Sequence, residues 1–299
     1  MTRLLMSASF EERSVDVARY ASRQLRPERV EVISYLVSGQ SLSKKVKQEG
    51  NVAKIQTIFR AAGIESRVNV IPIDCEFIYD KVDQSADVLD VSGFTKYHSL
   101  SLLANSSSQF SRVIYAHAAS HKIPTGDVEQ TRILQVPGYN GRRVANRPDV
   151  LFLLAGFEGG RALTVYKSLA VSKAVLCVGV PWFEPERLVK YVRTVSDQNA
   201  SLMASTNVVV ETVPSTDAWG FRDRFVGLVK RYRREFSGPN GRLPNVIAVP
   251  LGTKLQAVGL YLSLRDLPEM QVLYPFPTDF EELAIGTGSV SETSLTASR

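Results

Sequence analysis

The sequence predicts an α/β protein made of two Rossmann-like domains, each built on a mainly parallel sheet. Three observations predict it. Short β-branched runs alternate with helix-spaced segments along the chain. One turn-rich stretch near the middle interrupts this alternation. The order of elements is the same on both sides of that stretch. Strand–helix–strand units of this length imply right-handed crossovers and sheets covered on both faces. A chain of 299 residues, 44% of them hydrophobic, is long enough for two ordinary cores.

In the first half, "RLLMSAS" reads as a strand, and Val15, Ala18 and Ala21 then mark one helical face. "RVEVISYLV" is a second strand. A polar loop, "SGQSLSKKVKQEG", leads to a helix marked by Val52, Ile55, Ile58, Phe59 and Ala62 that stops at Gly63. "RVNVIPID" and "DVLDVS" are the third and fourth strands, "YHSLSLLANSSS" a helix, and "RVIYAHA" the fifth strand. The second half repeats this order with "VLFLLAG", "GGRALTVYKSLA", "AVLCVGVP", "PERLVKYVRTVSDQN", "NVVVETVP", a long helix over 217–236, "NVIAVP", "KLQAVGLYLSLRD" and "QVLYPFP". The expected division is residues 1–120, a connecting segment 121–148, residues 149–285 and a frayed tail 286–299. The connecting segment carries "PTGD", "VPGYNGRR" and "ANRP", and a small hairpin fits "RILQVPGYNGRRV". The tail has little apolar mass.

Composition narrows the function classes. The formal charge is +6, and the densest basic run, "KRYRRE", is short. Runs of this size are ordinarily solvated helix faces, and no zinc-finger, helix-turn-helix or RNA-binding signature accompanies them. Nucleic-acid binding therefore has no motif behind it. No apolar run approaches the roughly 20 residues of a membrane span, so no membrane partner is expected. The N-terminus places acidic residues too early for a secretory segment. Cys75 and Cys177 stand far apart in apolar surroundings and read as reduced core cysteines of a cytoplasmic protein.

Two stretches resemble each other: "SASFEERSVDVARY" and "LAGFEGGRALTVYK". Phe10 corresponds to Phe157, Lys96 to Lys254 and Tyr115 to Tyr274, in the same order and at the same places in the five-strand pattern. This predicts an internal pseudo-repeat. In open parallel sheets, ligands collect beyond the carboxyl ends of the strands, where helix N-termini present backbone N–H groups. In the first half those positions are Ser7, Ser9, Glu11 and Arg13, then Asp90, Ser92, Gly93, Thr95 and Lys96. In the second they are Gly156, Glu158, Gly159, Gly160 and Arg161, then Gly252, Thr253 and Lys254. Hydroxyls donate to phosphate or ribose oxygens, and lysine or arginine neutralises an anion. A packing reading stands beside this one: Phe10 and Phe157 as core aromatics, and each glutamate as a helix-start carboxylate or an ion-pair partner of the neighbouring arginine.

"HAASH" has i,i+4 imidazoles but follows strand-like residues and has no acidic neighbour, so no metal is expected. No Gly-x-Ser-x-Gly, Walker or Gly-x-Gly-x-x-Gly sequence occurs, which argues against a hydrolase elbow, a P-loop and a standard dinucleotide fold. No resident cofactor is expected. Trp219, Phe221 and Phe225 read as core-facing residues of an amphipathic helix.

The segment Asp90-Val91-Ser92-Gly93-Phe94-Thr95-Lys96 has the form Asp-x-Ser-x-x-x-Lys after an apolar strand. It resembles the strand-four motif of CARF domains, the CRISPR-associated Rossmann-fold modules that sense cyclic oligoadenylates in prokaryotic antiviral defence. "PLGTK" is similar but keeps only Lys254, with Ala248 and Pro250 where Asp and Ser would stand. The resemblance implies a nucleotide or cyclic-oligonucleotide sensor with its ligand held between two pseudo-symmetric lobes. Lys96 and Lys254 would neutralise phosphate, while Ser7, Ser9, Ser92 and Thr253 would form hydrogen bonds. Asp90 would read a ribose hydroxyl. The chain has no room for the effector domain such proteins usually carry, so the resemblance implies a sensor or sink, or else a chain that works with a separate effector. The alternative is an enzyme on the same scaffold cleaving a glycosidic or phosphodiester bond, with Glu11 or Glu158 as nucleophile or base.

Overall fold

The computed structural model describes residues 2–105, 110–122, 131–169, 171, 173–181, 185–237, 241–277 and 284–296. The chain divides into two units, residues 1–122 with 279–299, and residues 123–278. Each is α/β with a mostly parallel six-stranded sheet. Elements are numbered along the chain.

Unit 1 is built outward from β1 (Arg3–Ala8). Leu4, Leu5 and Met6 are all buried, because crossover helices cover both faces of the central strand. β2 (Arg29–Leu36) and β3 (Glu65–Pro72) lie on one side of it, and β4 (Val88–Asp90) and β5 (Arg112–His121) on the other. All four pairings among these strands are parallel. The helices are α1 (Arg13–Tyr20), α2 (Leu42–Ala61) and α3 (Lys96–Asn105). Val15 and Ala18 of α1 and Ile55 and Phe59 of α2 pack on Leu4, Met6, Val30 and Val32.

Unit 2 has the same strand order. β7 (Asp149–Ala155) is central, with β8 (Lys173–Val180) and β9 (Val208–Pro214) on one side and β10 (Asn245–Pro250) and β11 (Gln271–Pro277) on the other. Its helices are α4 (Gly159–Leu169), α5 (Pro185–Gln198), α6 (Ala200–Met203), α7 (Ala218–Glu235) and α8 (Lys254–Ser263). Phe221 and Phe225 are buried and stacked on each other, and Phe225 meets Phe152 of β7 edge-on.

The sixth strands differ from the sequence reading. β12 (Ala284–Ser294) occupies most of the expected frayed tail and pairs antiparallel with β5. Its polar sequence hid it, since a strand added at a sheet edge is held mainly by backbone bonds and needs little apolar mass. Glu292 accepts from Tyr20 Oη at 2.6 Å and pairs with Arg112 at 3.1 Å, and Ser291 Oγ lies 3.0 Å from His117 Nε2. In the connecting segment, β5 runs on to His121 and the expected hairpin is absent among the described residues. Instead β6 (Thr131–Gln135) pairs antiparallel with β11. The strand after β5 thus completes the sheet of unit 2, and the strand after β11 completes that of unit 1.

Two further expectations are corrected. α2 begins at Leu42, not near Val52, with Ser41 as its N-cap accepting from Lys44 N. Its first half is polar nearly all round, so periodicity could not mark it. Hydrogen bonds hold it instead: Gln48 Nε2 donates to Ser34 Oγ (3.0 Å) and to the Tyr35 carbonyl (2.8 Å). Cys177 is buried on β8, but Cys75 is half-buried in a turn after β3 rather than in a core strand.

Candidate anion-binding site

The loop after β1 is locked from both sides. Asn51 of α2 donates to the Ser9 carbonyl at 2.9 Å and to that of Glu11 at 3.3 Å. Ser9 Oγ accepts from Glu11 N at 3.1 Å. Arg13, only 7% exposed, then donates to Glu11 Oε2 (2.5 Å) and to the Ala116 carbonyl of β5 (3.0 Å), with its guanidinium 5.9 Å from the Tyr115 ring centroid. Burial works against the Arg13 charge. Glu11 and Tyr115 outweigh it and hold the group above its ordinary range.

The loop after β4 is tied into the same network. Asp90 and Ser92 are 0% and 1% exposed. Asp90 Oδ1 accepts from Ser92 N and Ser92 Oγ accepts from Ala116 N, both at 2.8 Å. Ala116, through its N–H and its carbonyl, thereby links the Asp-x-Ser segment to Arg13. A Cβ at Gly93 would meet the Ser7 carbonyl oxygen at 2.3 Å, so the ends of β1 and β4 approach backbone to backbone. Thr95 caps α3, its Oγ1 accepting from His98 N at 3.1 Å, and Lys96 opens that helix half-buried. Ser7 is fully buried.

Beside this network lies a cavity of about 470 Å³ lined by Phe10, Glu12 and Arg13 from the first loop. Val46, Lys47, Gly50, Asn51 and Lys54 of α2 form another wall, and Lys122 with Ala284, Ile285 and Gly286 completes it. Three lysines thus share this lining with Glu12 and with Arg13, whose charge Glu11 already pairs, at the N-terminus of α1, whose dipole adds positive potential. Of the residues predicted from sequence, Arg13 lines this cavity. Glu11 pairs with it, and Asp90 and Ser92 join it through one residue, Ala116. Thr95 and Lys96 are not among its lining residues. Lys47, Lys54, Lys122 and the start of β12 were missed. The i, i+3, i+4, i+7 spacing of Lys47, Gly50, Asn51 and Lys54 was their one signal, and it is readable only once α2 is known to begin at Leu42.

No protein-family model and no curated protein sequence matches this chain. Among solved structures it is similar to an N-terminal ketoreductase from a macrolactin assembly line, at 9% identity and a TM-score of 0.26. That alignment covers 87% of this chain and 59% of the ketoreductase chain.

Unit 2 repeats the network. Arg161, 4% exposed, pairs with Glu158 at 2.6 Å, donates to the Pro275 carbonyl of β11 and lies 5.4 Å from the Tyr274 ring centroid. Asn199 donates to the Gly156 carbonyl at 3.0 Å, as Asn51 does to that of Ser9. A Cβ at Gly156 would meet the Leu251 carbonyl oxygen at 2.2 Å, and one at Gly252 the Gln256 side chain. Thr253 and Gln256 form a reciprocal cap at the start of α8, where Lys254 is the first helical residue. Half of the cations in the basic run on α7, and Arg224 before it, are ion-paired within the unit. Arg224 and Arg231 meet Glu211, and Arg233 meets Glu269.

No described helix is long and apolar enough to cross a membrane.

Proposed function

We propose that this protein binds a nucleotide-type anionic ligand in the unit 1 cavity and acts as a CARF-like sensor in antiviral defence, read out by a separate effector. The observation that carries the reading is the lining itself. Arg13, Lys47, Lys54 and Lys122 surround a space within the roughly 300–1,000 Å³ range of small-molecule sites. The three lysines supply phosphate neutralisation, and Phe10, Val46 and Ile285 supply apolar surface for a base or sugar. The glutamates favour binding over turnover: Glu11 and Glu158 are each committed to a buried arginine, at 2.5 and 2.6 Å.

Calorimetry against nucleoside mono-, di- and triphosphates and cyclic oligonucleotides tests this. At least one should bind in the micromolar range or tighter, more weakly as salt rises, and about tenfold more weakly to Lys54→Glu. A flat response across the panel overturns the reading. Product formation by the wild type, lost in Glu11→Gln with binding retained, would replace it with the enzymatic alternative.

A further inference from the structure

Gly50 stands inside the 20-residue helix α2, where glycine is destabilising relative to alanine. Its neighbours do not explain it. A Cβ at this position would meet nothing within 4 Å, and the backbone has no left-handed φ there. No turn, close packing or unusual dihedral requires a glycine. What a side chain would enter is the cavity, because Gly50 is one of its lining residues. Lys47, Gly50, Asn51 and Lys54 fall on one helical face at i, i+3, i+4 and i+7, a span of about 10 Å along the axis. Asn51 is turned to the Ser9 and Glu11 carbonyls. Between the two lysines the wall is therefore the Gly50 backbone and the inward-tied Asn51 amide. Phe10 provides an aromatic face in the same cavity, with Lys44 Nζ 5.9 Å from its ring centroid.

We infer that Gly50 is a specificity-determining position: the gap it leaves seats a flat ring of the ligand against α2, while Lys47 and Lys54 take anionic groups on either side. The ligand class is a phosphorylated molecule carrying a heteroaromatic ring, rather than a bare polyanion. This rests on the nucleotide-binding reading and adds a claim that fails separately. A second open helical glycine, Gly227 on α7, does not line the cavity and serves as a control.

The test uses the full chain with Gly50→Ala, Gly50→Leu, Gly227→Ala and Lys54→Gln. The probes are ATP, a cyclic oligoadenylate and inorganic tripolyphosphate, the last having charge without a ring. Both alanine variants should raise Tm by about 2–4 °C, as removal of an unneeded helical glycine does. Gly50→Leu should fold at least as stably as wild type, yet bind the ring-bearing probes at least tenfold more weakly with tripolyphosphate unchanged. Lys54→Gln should weaken all binding probes. Nucleotide binding by Gly50→Leu at wild-type strength, with Lys54→Gln still impaired, overturns the ring seat alone. Equal losses for tripolyphosphate and nucleotides overturn it too, leaving a site that reads charge and volume. No binding of any nucleotide to the wild type overturns the parent reading and this one together.

Discussion

At the carboxyl ends of their sheets, units 1 and 2 hold the same groups in the same contacts. A nine-tenths-buried arginine pairs with a glutamate two or three residues before it, donates to a carbonyl of the fifth strand and lies over that strand's tyrosine. An asparagine from the next helical segment clamps the loop after the first strand. The surroundings differ. Where unit 1 has Phe-Glu-Glu-Arg, with Glu12 facing a cavity, unit 2 has Phe-Glu-Gly-Gly-Arg, and a Cβ at Gly159 would lie 1.7 Å from the Gln198 carbonyl oxygen. Four residues before and three after the clamping asparagine, unit 1 has the exposed Lys47 and Lys54. Unit 2 has the buried Val195 and Leu202. Phe10 lines the cavity, whereas Phe157 packs on Tyr191 and the core. A shared buried network therefore does not by itself make a binding site. Helix position and side-chain volume beside it decide whether the space is open.

The largest test of that likeness is to remove the arginines. Arg13→Met and Arg161→Met should each cost about 3–5 kcal/mol, since a part-buried glutamate loses its partner and a fifth-strand carbonyl its donor together. Denaturant unfolding measures both, and a loss confined to one unit would break the equivalence. Next in size is Gly159→Ala, which forces a Cβ into backbone and should cost about 3 kcal/mol or more. The counterpart Glu12→Ala should change stability by less than about 0.5 kcal/mol, because Glu12 is exposed. Similar costs at both positions would mean that unit 1 is as closely packed there as unit 2. Asn51→Ala and Asn199→Ala follow at about 1–2 kcal/mol each, because each asparagine amide donates to two backbone carbonyls.

The smallest effect is a pH dependence confined to unit 1. His117 of β5 packs edge-on against Tyr115 with centroids 4.7 Å apart; in unit 2, Phe276 meets Tyr274 in the same manner at 6.0 Å. Burial, and then the Arg13 charge, hold the His117 pKa below its ordinary value of 6.5. The unfolded chain then binds the proton first as pH falls. The stabilisation is complete above about 6.5 and is lost as pH drops below it toward the folded value. Amide protection in β12, which touches His117 through Ser291, should fall between pH 7 and 5 while that of β6 holds. His117→Phe should remove the difference. Equal pH responses in the two strands would dissociate it from this histidine.

Much of the fold was legible because buried parallel strands read as apolar runs and most of the helices carry one apolar face. "RLLMSAS", "VLFLLAG" and "NVIAVP" needed nothing more. The buried Glu–Arg network was legible at Glu11, Arg13, Glu158 and Arg161, where repeated charges sit beside strand ends. The cavity wall was not legible at Lys47, Gly50 and Lys54, because the first half of α2 has no apolar stripe and is held by Gln48 and Asn51 side chains reaching distant carbonyls. Lys122 and β12 were hidden for a related reason, as a polar edge strand is specified by its partner's backbone.

The sequence by itself determined the two α/β units, the succession of strands and helices along each up to its fifth strand and the recurring Glu–Arg motif, all consequences of local periodicity and of residues close along the chain. The tertiary structure alone decided the order of strands within each sheet, which sheet each sixth strand joins and that the open, cationic space lies in unit 1 between α2 and β12. Those outcomes depend on hydrogen bonds and packing between residues far apart along the chain, where no local pattern reports them.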